Sequence, residues 1–149
     1  MIVYRNYGHM VSRIATNIHS PYRVLIADGD RVVREYLELV LRQGGYTVES
    51  SALAARALRS IEDFRPDLIL VDTGFSESGG FSVVRRMRDL AFRLKYEPRI
   101  VMTTSEDRKF EREQAAAAGA VDYIIKPIQP TPLLRQLSDL MALESAPVA

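Results

Sequence analysis

The stretch VLIADGD, Val24 to Asp30, sets four apolar residues directly before two acids that flank a glycine. An apolar run without polar alternation is typical of a strand that is covered on both faces. A carboxylate beside such a strand is costly unless another group pairs with it. We therefore expect Asp28 to end a core strand and to face groups from elsewhere in the chain.

Strand and helix patterns alternate from Tyr22 onward. This alternation predicts an α/β fold of the flavodoxin-like type, a parallel, doubly wound five-stranded sheet of order 2-1-3-4-5 with five helices. Gly44 and Gly45 end the first predicted helix, and Gly119 ends the fourth. The predicted strands cover residues 24–27, 46–50, 67–72, 99–104 and 121–125, and the predicted helices cover residues 31–42, 52–64, 81–92, 107–118 and 131–143.

The composition bounds the class of protein. The chain has 149 residues, a net charge of +1 and 47% hydrophobic residues, which suits one globular domain and argues against an obligate nucleic-acid binder. Its lack of cysteine excludes disulfides and thiol catalysis and fits a cytoplasmic location. We expect no transmembrane segment, because no apolar run approaches the roughly 20 residues that cross a bilayer.

Residues 1–21 differ from the rest because no acid precedes Asp28. We expect them to form an N-terminal helical extension, residues 22–144 the main domain and residues 145–149 a tail. The extension could pack on its own domain or a second copy, dock as a basic amphipathic helix on a membrane or partner, or be a disordered or spurious start. Its apolar residues have helical spacing: Val3, Tyr7, Met10, Val11, Ile14 and Ile18.

Polar residues end four of the predicted strands. Asp28 ends the first strand and Asp72 the third, and these two strands are neighbours in the expected order. Carboxyl ends of parallel strands meet at one edge, so the two carboxylates should lie close together and demand a cation such as Mg²⁺. Thr104 adds a hydroxyl and Lys126 an ammonium that suits a phosphate oxygen. This set predicts a site for a metal and a phosphoryl group.

These motifs, in this order, resemble the receiver domain of bacterial two-component response regulators, the relatives of the chemotaxis-Y protein. The resemblance covers residues 22 to 143, and Thr104 precedes Lys126 by the 22 residues usual in that family. Each motif is weak alone, but together they are specific. They are VLIAD ending at Asp28, PDLILVD ending at Asp72, Gly80, IVMTT ending at Thr104, and GAVDYIIKP with Tyr123, Lys126 and Pro127.

The resemblance implies a specific chemistry. Asp72 is expected to accept a phosphoryl group from a phosphohistidine, and Lys126 and Thr104 to hold that group. Asp28, Asp72 and the backbone carbonyl of Gly74 are expected to bind Mg²⁺. Thr104 and Tyr123 are expected to act as the switch, moving a surface made of the fourth helix, fifth strand and fifth helix, and the Lys126–Pro127 bond is expected to be cis.

The resemblance also implies partners. These are a sensor histidine kinase or phosphotransfer protein, and a downstream protein target or a covalent output domain absent from this chain. A homodimer is possible through the same switch surface, and direct binding to nucleic acid is not expected. The enzymatic activity implied is limited to self-phosphorylation and self-dephosphorylation.

The sequence departs from the family at the metal site. Gly29 stands where a second acid usually binds the metal, and Asp30 follows it. Asp30 is better explained as the cap of the helix that begins at Arg31, with a metal ligand as the alternative. Ser76 and Gly79 also replace the family's usual proline and aspartate. These changes predict weakened Mg²⁺ binding, slow phosphorylation, or a different conformation of the loop after Asp72.

Two further functions remain open. One is a pseudo-receiver, an interaction module that has lost metal binding at Gly29. The other is a phosphohydrolase like the haloacid dehalogenases, with Asp28 as nucleophile and Asp30 as acid/base. This second alternative gives Asp72 no role, and no acidic pair follows Lys126 in a strand-end loop.

Overall fold

The computed structural model describes residues 22–144. The predicted N-terminal extension and the tail lie outside these residues. Within them no helix is both long and apolar enough to cross a bilayer. The strands are β1 Arg23–Ala27, β2 Thr47–Ser51, β3 Leu68–Asp72, β4 Arg99–Thr104 and β5 Asp122–Ile125, and the helices are α1 Arg31–Gln43, α2 Ala54–Asp63, α3 Gly80–Arg93, α4 Lys109–Ala118 and α5 Pro130–Glu144.

The five strands form one parallel sheet in the order β2-β1-β3-β4-β5, which confirms the predicted architecture. Ala27 of β1 pairs with Val71 of β3, and Asp72 pairs with Thr103 of β4. This register brings the acids that follow β1 and end β3 to the same edge of the sheet. The edge is the one at which parallel sheets carry their sites.

Two apolar cores cover the two faces of the sheet. Along β1, Leu25 and Ala27 point to one core, whereas Val24 and Ile26 point to the other. The first core joins the sheet to α2, α3 and α4, and the second joins it to α1 and α5. Because successive strand residues point to opposite faces, burial on both faces explains the continuous apolar run.

The observed ends of two helices differ from the prediction by two residues. Helix α2 begins at Ala54 rather than at residue 52, because Ser51 and Leu53 form a local turn first. The Ser51 hydroxyl donates to the Leu53 carbonyl at 2.9 Å and accepts from its amide at 3.1 Å. Helix α4 begins at Lys109 rather than at residue 107, because Arg108 has an extended backbone with φ −117° and ψ 130°.

Helix α3 starts against the end of β3. A Cβ built on Gly80 would lie 2.2 Å from the carbonyl oxygen of Asp72. Only a residue without a side chain fits this approach. Gly80 therefore fixes where the loop after Asp72 returns to the sheet.

Candidate functional site

Lys126 joins two carboxylates at the carboxyl edge of the sheet. Its Nζ lies 2.9 Å from Oδ2 of Asp28 and 2.8 Å from Oδ1 of Asp72. Asp28 is buried, with 3% of its surface exposed, while Lys126 and Asp72 are partly exposed. The Lys126–Pro127 peptide bond is cis, as expected. The structure thus brings together three of the four residues predicted to form the site, from β1, β3 and β5.

The two carboxylates keep the lysine charged. Partial burial acts most strongly on the Lys126 pKa and lowers it, but the hydrogen bonds and charges of Asp72 and Asp28 together outweigh burial and raise it above its ordinary value. Lys126 is therefore a cation at every physiological pH. It balances one of the two negative charges and leaves the edge with a net charge of −1 from these three side chains.

Backbone amides orient both carboxylates, and Arg34 contacts the backbone of Asp28. The amide of Asp30 donates to Oδ1 of Asp28 at 2.8 Å, and Nη1 of Arg34 donates to the Asp28 carbonyl at 2.9 Å. The amide of Gly74 donates to Oδ2 of Asp72 at 2.9 Å. In each carboxylate, one oxygen thus accepts a hydrogen bond from Lys126, and the other accepts one from the backbone amide two residues after that aspartate. The Gly74 carbonyl stays a predicted metal ligand.

Asp30 caps helix α1. Its Oδ1 accepts hydrogen bonds from the amides of Val32 at 2.9 Å and Val33 at 3.4 Å. The cap interpretation is confirmed, because these amides have no partner within the helix. The contacts described for the Asp30 side chain lie within the helix and give no support to its role as a metal ligand.

The predicted switch residues lie beside the acidic pocket, which is the group formed by Asp28, Asp72 and Lys126. Thr104 is buried, and its hydroxyl contacts Glu106, Glu111 and, at 3.4 Å, the hydroxyl of Thr73. None of the hydrogen bonds described for this hydroxyl reaches Asp28, Asp72 or Lys126, although the Thr104 backbone carbonyl accepts from the amide of Lys126 at 2.7 Å. Tyr123 is half-buried, and its hydroxyl also contacts Glu106 and Glu111. The Thr104 hydroxyl thus faces the loop before α4 and the hydroxyl of Thr73 rather than the two carboxylates.

Sequence reasoning missed Arg34, Glu106 and Glu111. Arg34 and Glu111 are single polar residues on helices, and no pattern in the sequence distinguishes them from other surface residues. Glu106 contributes its backbone carbonyl, which no side-chain motif can indicate. Their roles arise only from how α1 and α4 pack against the ends of the strands.

The side-chain oxygens that could bind a metal at this edge suit a hard divalent cation, but they are few. Asp28 and Asp72 offer carboxylate oxygens, the ligands that Mg²⁺ prefers. Within residues 22–144, no group of three or more His, Cys, Asp or Glu residues is placed to hold a metal ion. Gly29, at the position of the family's usual second acid, offers no side-chain ligand. The residues present fit Mg²⁺ with two carboxylates, and backbone oxygens or water would have to complete its shell.

Comparison with known proteins identifies the class to which this fold and edge belong. The family model of the response regulator receiver domain matches residues 24–138. The chain therefore belongs to the response regulator receiver domain family, a family of signalling modules rather than classical enzymes.

Individual relatives agree. The chain is 35% identical over 121 residues to the response regulator MprA of Mycobacterium sp. (strain KMS), an alignment that covers 81% of this chain and 51% of that protein. The chain thus spans about half the length of the curated relatives it matches.

Solved structures show the same fold. The chemotaxis protein CheY4 of Vibrio cholerae is 28% identical, with a TM-score of 0.73 over 79% of this chain and 97% of that chain. The BeF3-activated receiver domain of RstA from Klebsiella pneumoniae is 26% identical, with a TM-score of 0.68 over 78% of this chain and 95% of that chain.

The phosphohydrolase alternative is set aside. The family match assigns the chain to signalling modules. The second acid that the hydrolase mechanism needs, Asp30, is the cap of α1. Asp72, which that mechanism leaves without a role, shares Lys126 with Asp28.

Proposed function

We propose that this receiver domain accepts a phosphoryl group on Asp72 from the phosphohistidine of a sensor histidine kinase or phosphotransfer protein. The observation that supports this most directly is the position of Lys126, 2.8 Å from Asp72 and 2.9 Å from Asp28. An ammonium held by two carboxylates at a strand edge is costly to desolvate, and it stays partly exposed at the place where a phosphoryl group would arrive. It suits the binding of an incoming anion.

Phosphoryl transfer at this edge needs little covalent chemistry from the protein. A carboxylate oxygen of Asp72 attacks phosphorus, the P–N bond of the phosphohistidine breaks, and the imidazole nitrogen keeps the electron pair. Asp28 and Asp72 would hold Mg²⁺, which would neutralise charge on the transferring group. Lys126 exchanges one of its carboxylate partners for a phosphoryl oxygen, and the amide of Gly74 keeps Asp72 oriented. The protein therefore acts by positioning and by charge.

The signal passes through Thr104 and Tyr123. The Thr104 hydroxyl turns toward the new phosphoryl group and leaves its contacts on the Glu106 and Glu111 side. Tyr123 follows into the space released, and the surface of α4, β5 and α5 changes. This two-state change is read by a downstream protein or an output domain outside this chain.

A pseudo-receiver is the second candidate, and Gly29 is the observation that favours it. Two carboxylates with a lysine already between them attract a divalent ion less than three carboxylates do. A protein of this kind would bind its partners without phosphorylation. The two functions differ in one measurable property, metal-dependent labelling of Asp72.

Labelling with radioactive acetyl phosphate tests the proposal. The wild-type chain should incorporate one phosphoryl group per chain, and incorporation should rise with Mg²⁺ and vanish when EDTA removes the metal. Asp72→Asn is the variant that removes the acceptor, and Asp67→Asn is the matched control, because Asp67 directly precedes the same strand at its amino end. Equal labelling of the Asp72→Asn variant would mean that another residue is the acceptor and would overturn the proposal. No labelling of the wild type at tens of millimolar Mg²⁺ would favour the pseudo-receiver.

A further inference from the structure

Two hydroxyl groups compete for the same two oxygens beside the acidic pocket. The hydroxyl of Thr104 lies 3.1 Å from the carbonyl oxygen of Glu106 and 3.4 Å from Oε1 of Glu111. The hydroxyl of Tyr123 lies 3.2 Å from the same Oε1 and 3.4 Å from the same carbonyl. Each hydroxyl has a single proton, so each can donate to only one acceptor at a time.

The shortest pairing assigns one acceptor to each donor. Thr104 donates to the Glu106 carbonyl and Tyr123 donates to the Glu111 carboxylate. The amide of Glu106 donates back to the Thr104 hydroxyl at 3.2 Å, which fixes Thr104 against the loop before α4. Both switch side chains are thus held on the α4 side, away from Asp72.

Glu111 belongs to the first turn of α4, and this turn closes over Tyr123. The guanidinium of Arg112 lies 5.1 Å from the centre of the Tyr123 ring. The side chain of Arg108 makes no capping hydrogen bond at the start of the helix. The start of α4 is joined to β5 instead by the contacts of Glu111 and Arg112 with Tyr123.

We propose that Glu111 is a positioning residue that holds Tyr123 in the unphosphorylated arrangement and must release it before the switch can turn. This inference rests on the proposed function, since it assigns a restraint to the same switch. Hydrogen bonds of 3.1 to 3.4 Å between oxygens are long and therefore weak. A weak restraint is what a reversible switch requires, because a strong one would prevent activation.

The protonation of Tyr123 fits this arrangement. Burial raises the Tyr123 pKa most, and the hydrogen bond and charge of Glu111 raise it further, against the opposing effects of Thr104 and Arg112. Removal of the Glu111 carboxylate should therefore lower the Tyr123 pKa. This gives a readout that is independent of metal and of phosphorylation.

Beryllofluoride titration at fixed Mg²⁺ measures the restraint. Glu111→Ala should lower the half-saturating beryllofluoride concentration by about threefold, which is at the low end for the loss of one hydrogen bond because this bond is long. Glu111→Gln should lie between this variant and the wild type, because its amide oxygen still accepts a hydrogen bond. Glu113→Ala, on the same helix and exposed, should leave the value unchanged.

The direction of the change distinguishes a restraint from a purely structural role. A variant that only loosened the fold would raise the half-saturating concentration. In a Tyr123→Phe background, which lacks the phenolic proton, Glu111→Ala should have little further effect. An unchanged or raised value in the Glu111→Ala variant, or full additivity with Tyr123→Phe, would overturn the proposal.

A second measurement separates this proposal from the proposed function. Fluorine NMR of the 3-fluorotyrosine-labelled free protein follows Tyr123, whose resonance is assigned as the one missing in Tyr123→Phe. Glu111→Ala should shift this resonance and lower its pKa, while Glu113→Ala should not. If the wild type takes no beryllofluoride, phosphoacceptance fails, and the restraint is still supported by a shift of this resonance or overturned by its absence.

Discussion

Gly29 leaves room for the acid that this family usually carries. A Cβ built there meets no atom within 4 Å, and the backbone of Gly29 does not have the positive φ that only glycine tolerates well. Gly29→Asp should therefore fold normally and place a third carboxylate beside Asp28. Apparent Mg²⁺ affinity, measured by titration calorimetry, should rise by about tenfold, because Mg²⁺ and Ca²⁺ sites are tuned by the number of charged ligands.

Gly29→Asn is the matched control for this prediction. It has nearly the same shape as Gly29→Asp without the charge, and should change affinity only slightly. If both variants bind Mg²⁺ as the wild type does, position 29 does not contribute to the metal site of this chain.

Lys126 stabilises the folded state as long as it is charged. At neutral pH, Lys126→Met should lower the free energy of unfolding by about 1–3 kcal/mol, because it leaves the carboxylates of Asp28 and Asp72 facing each other without a cation. The folded-state pKa of Lys126 is raised above its ordinary 10.5. Its stabilising contribution is therefore complete below pH 10.5 and is lost as the pH rises through the folded-state pKa.

Urea unfolding of the wild type and the Lys126→Met variant, at several pH values from 7 to above 11, checks both statements. Other lysines and the tyrosines titrate in both proteins, so only the difference between the two curves is interpreted. The difference should be constant up to about pH 10 and then shrink. A difference that grows with pH would contradict the assignment of Lys126 as the charged partner.

At the scale of the element, helix α1 depends on Asp30. Asp30→Ala should lower the free energy of unfolding by about 1 kcal/mol, because two amides at the start of the helix lose their acceptor. Asp30→Ser should restore most of this loss, since a serine hydroxyl also caps. Because serine lacks a carboxylate, unchanged Mg²⁺ affinity in Asp30→Ser is expected, and a large fall would show instead that Asp30 binds the metal.

The bounds of the elements show what local sequence can and cannot predict. Burial on both faces made β1 and β3 evident, because VLIA and LILV contain no polar residue. The start of α2 was placed two residues early, because the turn made by Ser51 and Leu53 depends on a side-chain hydrogen bond rather than on periodicity. Boundaries set by such contacts are not visible in hydrophobic patterns.

At the scale of the molecule, topology explains how much of the site could be predicted. The rule that parallel strands carry their sites at the carboxyl edge is enough to predict from the sequence that Asp28, Asp72 and Lys126 lie together. The same rule could not place Glu111 or Arg34, because it says nothing about which helix residues face the ends of the strands. Thr104 was expected inside the pocket, but its hydroxyl turns toward α4 instead.

The site is assembled from strands that are far apart in the sequence, so ligand binding should stabilise the whole domain. Beryllofluoride with Mg²⁺ should bind the folded state alone, since its partners come from β1, β3 and β5. At a concentration 100 times the dissociation constant the gain is about 2.7 kcal/mol, which raises the thermal midpoint of a domain of this size by roughly 5–10 °C. Scanning calorimetry should show this rise in the wild type, a larger one for Gly29→Asp at limiting Mg²⁺, and none for Asp72→Asn. An equal rise in Asp72→Asn would mean that the anion binds elsewhere on the molecule.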